Sequence, residues 1–294
     1  MTARRRADPV APEKEGAGLR FLYHTVFGRV ILKMLSARWL SRAAGAFMRT
    51  RASKILIKPF VRSAGIDLGE YVTDGFSCFN DCFTRQIRPG LREFDPDPEA
   101  LCAPCDGLLT VYGIGDDPAQ TVFPAKQSAY SVATLLGDAS TAALFAGGHA
   151  LVFRLCVEHY HRYAFFDGGV KRPGRFIPGR LHTVRPIALE ACPVFTENCR
   201  EATLIDTDNF GTAAEIEIGA LLVGKIANAR TDESFRVRRG DEKGMFLYGG
   251  STVVLLLARG AADIDSELIA SSEAGLETPV RMGERIGEAA LTRG

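Results

Sequence analysis

The sequence predicts an α+β protein in which N-terminal amphipathic helices precede a curled, barrel-like antiparallel β domain. Three observations carry this reading. Residues 19 to 64 repeat apolar positions at helical spacing, and beyond about residue 100 the chain breaks into short apolar or alternating runs. Gly and Pro punctuate those runs. At 294 residues, with 46% apolar and 24% charged side chains, the chain is long enough to bury a sizeable core.

The elements follow in order. Residues 1–18 read as a disordered polar leader, because Arg4, Arg5 and Arg6 give way to Asp, Pro, Glu and Lys without the apolar stretch of a secretory signal. Leu22, Val26, Phe27, Val30, Ile31 and Leu35 then form an apolar helical stripe, with Arg29, Lys33 and Arg38 between them. Gly45 and Pro59 are expected to divide residues 19–64 into two or three helices. A short helix beginning near Ser77, its N-cap, puts Phe79, Cys82 and Phe83 on one face. Leu151 to Val157 and Thr252 to Ala258 read as strands buried on both faces. Ala214, Ile216 and Ile218 alternate with Glu215 and Glu217, which predicts a half-buried strand with both acids outward, and Phe235 and Val237 alternate with Arg236 and Arg238. Many short strands of this kind build closed or heavily curled antiparallel structures.

The formal net charge of +1 selects no partner, but its distribution does. Ten basic residues lie between Arg20 and Arg62, and no acid occurs between Glu15 and Asp67. Near an anionic membrane each such cation contributes on the order of 1 kcal/mol, and the apolar stripe adds burial at the acyl boundary. The segment therefore reads as a membrane-surface anchor rather than a merely solvated helix face. A nucleic-acid partner is not expected, since aromatic interleaving and a recognisable motif are both missing. No apolar window of 18 residues escapes charge, so no spanning helix is expected. Seven cysteines without a secretory signal read as free thiols in a reducing compartment. Cys78, Cys82, Cys102 and Cys105 could offer four thiolates to zinc, but small buried hydrophobes explain them more simply, and no metal is expected.

The most informative string is Phe246-Leu-Tyr-Gly-Gly-Ser-Thr-Val-Val-Leu-Leu-Leu257. Gly-Gly-Ser-Thr alone marks only a tight turn. Here it follows, in order, Phe79-Asn-Asp-Cys-Phe-Thr-Arg85, Pro104-Cys-Asp-Gly107, Tyr160-His-Arg162 and Ile177-Pro-Gly-Arg-Leu-His-Thr-Val184, and it precedes Val280-Arg-Met-Gly-Glu-Arg-Ile-Gly287. Together these strings, spanning roughly residues 19 to 287, resemble the phosphatidylserine decarboxylase family. A carrier-like β-barrel is the weaker match to the closing string, because that hairpin holds no suitably placed lysine for modification.

The resemblance implies a proenzyme that cuts itself between Gly250 and Ser251 and converts Ser251 into a pyruvoyl group, its cofactor. In the family a Ser hydroxyl attacks the preceding carbonyl, here that of Gly250, which lacks a Cβ to obstruct the attack. The pyruvoyl ketone then engages the amine of a serine phospholipid and accepts the electrons left by CO2. The resemblance makes Asp106 the carboxylate that orients the base. It also implies a domain plan of leader, membrane helices over 19–64 and catalytic domain over 65–294. The partners implied are an anionic membrane surface on its cytoplasmic face, the serine phospholipid and the chain's own cleaved fragment; a homodimer is compatible with this plan. The rival reading is a cleavage-incompetent homologue that only binds anionic phospholipid.

One departure bears on the base. The family's usual string Asp-Tyr-His-Arg-aromatic-His stands here as His159-Tyr-His-Arg-Tyr-Ala164, and alanine transfers no proton. His161, which keeps its place in the motif, is the favoured substitute; His159 and His182 are the alternatives. The loss is tolerable for an event that happens once per molecule. A half-life of hours needs only ~10⁻⁴ s⁻¹, about 10⁵ below a common turnover near 10 s⁻¹, and losing a triad member costs about 10⁴.

Overall fold

Seven consecutive apolar or hydroxyl side chains, Ser251–Leu257, form a strand buried along its whole length, and the sheet is organised around it. The structure, a computed structural model, describes residues 7–11, 21, 25, 27, 38–119, 123–125, 128–179, 198–219, 225–247 and 251–290. Gly250, His182 and the stripe residues Leu22, Val26, Val30, Ile31 and Leu35 lie outside the described residues.

The strands begin, in chain order, with β1 (Tyr71–Val72), β2 (Gln86–Ile87), β3 (Ala100–Cys102), β4 (Gly107–Gly113), β5 (Phe123–Ala125) and β6 (Ser128–Tyr130). Next come β7 (His149–Leu155), β8 (Arg162–Ala164), β9 (Gly169–Lys171), β10 (Arg175–Ile177), β11 (Arg200–Thr207) and β12 (Thr212–Ile218). The last are β13 (Lys225–Asn228), β14 (Phe235–Val237), β15 (Glu242–Leu247), β16 (Ser251–Leu257), β17 (Ala262–Ile264), β18 (Thr278–Val280) and β19 (Arg285–Ala289). The main sheet runs β14-β9-β11-β12-β16-β7-β4-β18, with β10 as a ninth strand on β11. All its pairings are antiparallel. Its two ends are different strands, so the sheet is curled but open and not the closed barrel that short strands suggest.

A smaller sheet, β13-β15-β8, meets β12 through buried side chains, and β17-β19-β3 forms a third. One core cluster joins Val253 and Leu255 of β16, Leu151 and Phe153 of β7 and Ile216 of β12 to Tyr163 and Phe246. Helices α4 (Val132–Leu136), α5 (Ala139–Ala142) and α6 (Ser266–Glu273) add Leu135, Ala142 and Leu268 to it.

Helix α1 (Arg38–Met48) contains Gly45 without breaking there; the chain turns at Arg49 and Thr50 and enters a 3-10 helix over Arg51–Leu56. Pro59 sits in the first turn of α2 (Ile57–Ser63), where its missing N–H has no intrahelical partner to lose. Helix α3 (Phe79–Phe83) is capped by Cys78, one residue after Ser77, with Asp81 accepting from the backbone N–H groups of Ser77 and Cys78. Within the polar leader, Val10 and Glu277 exchange two backbone hydrogen bonds of 2.8 and 3.0 Å. No helix among the described residues is long and apolar enough to cross a membrane.

Period-two alternation misplaces Glu215 and Glu217. Both are buried, at 1% and 0% exposure, because β12 lies between two other strands and Lys243 of β15 reaches down to them. An ion pair made by a residue distant in sequence replaces the solvent that the pattern implies.

Gly148, just before β7, approaches the end of β16 so closely that a Cβ there would stand 2.0 Å from the Leu257 carbonyl oxygen. Gly148→Ala is therefore expected to cost about 1–3 kcal/mol and to lower Tm by several degrees in a thermal melt; an unchanged Tm would show that the β7–β16 contact yields.

Candidate active site

Register brings the site together. Ser251, the first residue of β16, stands opposite Leu155, the last residue of β7. Beyond Leu155 the chain turns: the His159 amide donates to the Cys156 carbonyl at 3.0 Å, and the Cys156 amide donates to His159 Nδ1 at 2.9 Å. Arg85, buried at 1% exposure over the Tyr71 ring, clamps this turn by donating to the carbonyls of Glu158 and His159 at 2.7 and 3.0 Å. His159 thereby lines a cleft of about 590 Å³ with Asp106, Arg92, Tyr71, Glu158 and Met282.

Asp106 is delivered to the same cleft by the turn into β4. A Cβ on the next residue, Gly107, would lie 3.2 Å from the Arg154 carbonyl oxygen, so glycine lets the strand settle close to β7. The Asp106 carboxylate accepts from Arg92 Nε and a terminal guanidinium nitrogen, both at 2.8 Å, and from the Met282 amide at 2.9 Å. Burial works against the Arg92 charge, but the hydrogen bonds and charge of Asp106 outweigh it and raise the guanidinium pKa further. The motifs alone assign Arg85 and Arg92 no role. Arg85 stands in a family-like string, whereas nothing local marks Arg92, whose partner is fourteen residues on.

Two histidines are held in opposite tautomers. Burial pushes the His159 pKa down, with Glu158 and Asp106 opposing, so the ring is neutral near pH 7. Its Nδ1 accepts a hydrogen bond, which leaves the proton on Nε2. His161 is fully buried, 4.0 Å between ring centroids from Phe83, and is not part of the cleft wall. Its Nδ1 faces the His159 carbonyl oxygen at 2.9 Å. A carbonyl only accepts, so Nδ1 carries the proton and Nε2 the lone pair. His161 thus holds the tautomer of a base at Nε2. Its own carbonyl accepts from the Phe246 amide at 2.9 Å, which ties it to the strand leading toward Ser251.

The Ser251 hydroxyl is wholly buried and has no hydrogen-bond partner among the described residues. Such a group costs free energy in an apolar interior and marks a strained or reactive position. Ala164 is buried in β8, its amide donating to the Pro104 carbonyl at 2.9 Å, with no titratable group to offer. Cys78, Cys82, Cys102 and Cys105 are buried free thiols, and burial pushes the last three up. Cys156, Glu158 and His159 place donor atoms within 4.8 Å of one another, but Arg154 donates to Cys156 Sγ at 3.1 Å and opposes a cation there.

The phosphatidylserine decarboxylase family model matches residues 79–288. The chain belongs to the phosphatidylserine decarboxylase family. It is 42% identical over 272 residues to phosphatidylserine decarboxylase proenzyme 2 of Clostridium acetobutylicum, covering 92% of this chain and 91% of that one. Proenzymes of Clostridium beijerinckii (36% identity, 93% of each chain) and Ruminiclostridium cellulolyticum (37%, 92% and 91%) are similar over the same extent. This family member is therefore a carboxy-lyase by kinship, and every string read as family-like but the leader-proximal helices falls within or beside the matched span.

Removing one partner of a buried ion pair leaves the other charge uncompensated. In this decarboxylase-family chain Arg92→Met is expected to cost about 3–5 kcal/mol in urea unfolding; a loss below about 1 kcal/mol would mean that Asp106 is adequately served by Met282 and water.

Proposed function

We propose that this chain cuts itself between Gly250 and Ser251 and then decarboxylates phosphatidylserine to phosphatidylethanolamine. The observation that carries the reading is the Ser251 hydroxyl, buried without a partner among the described residues at the head of β16. Ser251 Oγ attacks the Gly250 carbonyl carbon while His161 Nε2 takes the hydroxyl proton. The Gly250–Ser251 C–N bond then breaks, the freed amine gains a proton, and an ester joins the two residues. Loss of the Ser251 α-proton and cleavage of its Cβ–O bond release the Gly250 carboxylate and leave dehydroalanine, which water converts to pyruvoyl with loss of ammonia. Once formed, that group supplies the electron sink for decarboxylation.

The chain's residues divide the remaining work. Asp106 and Arg92 keep the cleft polar and fixed, and His159, with its Nε2–H, is placed to donate to a headgroup oxygen. His161 as base is supported by its tautomer and its tie to Phe246; His159, a neutral donor at Nε2, suits that task less well. His182 remains the other alternative from the sequence, and Asp106, engaged by Arg92, serves the cleft.

Denaturing mass spectrometry should show two chains, the smaller blocked by pyruvoyl, with Ser251→Ala left uncut and His161→Ala slowed by a factor of about 10³ or more. A wild-type chain that stays whole would instead support the lipid-binding homologue that Ala164 makes conceivable. His161→Ala maturing at the normal rate would remove the imidazole assignment.

Peripheral attachment to a membrane belongs to the same proposal. Phe47 and Ile55 are exposed at 46% and 78% amid Arg49, Arg51, Lys54, Lys58 and Arg62, an arrangement suited to an anionic interface. Binding to vesicles should rise with anionic lipid and fall with salt; equal sedimentation after deletion of residues 19–64 would refute it.

A further inference from the structure

Two guanidinium groups line the cleft, and only one of them has a partner that occupies it. Arg92, its side chain 4% exposed, donates twice to the Asp106 carboxylate and meets Glu70 at 3.2 Å. Arg281 lines the same cleft with 42% of its side chain exposed. Its side chain has one charged contact among the described residues, Glu70 Oε1 at 3.8 Å, which is too long for a hydrogen bond. The Arg281 amide donates to Glu284 Oε2 at 3.0 Å and so fixes the backbone there. The remaining charge on the wall is negative: Glu93, Glu158 and Glu284 accompany Asp106, and the His159 ring is neutral near pH 7.

Strand register relates Arg281 to Ser251. Ser251 stands opposite Leu155, Val280 stands opposite Gly107, and the Leu108–Arg154 pair sets Gly107 level with Leu155. One row therefore crosses β16, β7, β4 and β18 from Ser251 to Val280, and its members Gly107 and Val280 belong to the cleft wall. Neighbouring strands lie about 4.8 Å apart, so the Cα atoms at the two ends of this row are separated by roughly 14 Å. Arg281 directly follows Val280, and an extended arginine carries its guanidinium roughly 6 Å from Cα. In a serine phospholipid the phosphorus lies a few bonds from the amine, roughly 5 Å away. An amine brought to position 251 thus leaves its phosphate where a guanidinium at position 281 can reach it.

We propose that Arg281 binds the phosphate of the substrate headgroup and makes the cleft select serine carried on a phosphodiester over an uncharged serine ester. The inference rests on the decarboxylation reading above. A guanidinium presents parallel N–H donors that match two phosphate oxygens, and such charge-assisted bonds are the strong ones. Arg281 gives up only a loose contact to make them, while Arg92 at 3.2 Å continues to neutralise Glu70. The acids of the wall set the sign of the selection. Without Arg281, Glu93, Glu158 and Glu284 would face the phosphate with no free cation to offset them, since Arg92 already serves Asp106 and Glu70. With it, a wall that attracts only the ammonium end of the headgroup also holds the anionic end.

The test compares wild type, Arg281→Gln and Arg281→Lys, with mass spectrometry first establishing that all three have cut themselves to the same extent. On a short-chain phosphatidylserine dispersed in uncharged detergent, Arg281→Gln should raise KM roughly 10- to 100-fold, the range of a lost charge-assisted hydrogen bond, with kcat largely kept. Arg281→Lys should recover part of that loss, because an ammonium keeps the charge without the paired donors. A serine ester without phosphate should be turned over alike by wild type and Arg281→Gln, and glycerol phosphate should compete with the phospholipid in wild type alone. An unchanged KM for the phospholipid, or an equal loss on the phosphate-free ester, overturns the role of Arg281 and leaves decarboxylation standing. A wild-type chain without decarboxylase activity overturns the decarboxylation reading instead. Calorimetric binding of glycerophosphoserine to that same chain then decides Arg281 separately: weaker binding in Arg281→Gln supports its role, and equal binding removes it.

Discussion

Burial of β16 along its whole length constrains everything around it. Flanked by β7 and β12 and buried on both faces, the strand needs every side chain on it to be apolar or locally compensated. Val253 to Leu257 meet that requirement, and Ser251 and Thr252 do not: both hydroxyls enter the interior without a partner among the described residues. The same pairing that stabilises the sheet therefore holds the Ser251 hydroxyl, the proposed nucleophile, out of water at the first residue of the strand. Removing the burial would relax the serine into an ordinary solvated hydroxyl.

Charge is then distributed in two layers. On the cleft side, Asp106 and Arg92 form a bidentate pair that fixes one wall of the cleft, and Arg85 fixes the turn that carries His159. Behind the sheet, Glu215, Glu217 and Lys243 form a second group with an unequal count of signs. Pairs with balanced charge hold geometry; an unbalanced cluster can respond to a proton. The two histidines follow the same division, because each ring is oriented by a backbone group of the 156–159 turn. One turn sets both tautomers.

Much of the fold is legible in the order of the amino acids. Strand burial over Leu151–Leu155 and Thr252–Leu257 follows from nearly continuous apolar runs, although the first strand ends before Val157, which is exposed; the short helix with Phe79, Cys82 and Phe83 inward follows from their spacing, and the family from ordered motifs. These are local properties: side chains alternate or recur along one element, and a turn needs its glycine wherever it occurs. Gly45 and Pro59 mislead for the complementary reason, since an exposed glycine is tolerated in a helix interior and proline is tolerated in a first turn.

Tertiary structure alone decided the rest. Period two places Glu215 and Glu217 on a wet face, because alternation records only that two faces differ, and Lys243, contributed by another sheet, makes the polar face an interior one. Asp106 can be named from its motif, but its partner Arg92 and the clamp of Arg85 on the 158–159 carbonyls depend on chain segments with no shared pattern. The sequence by itself determined the main strands and the family, and it singled out Ser251 as the candidate nucleophile. Only the packed sheets decided which charges are buried and which tautomer His159 and His161 hold, because those properties belong to groups that meet in space and not along the chain.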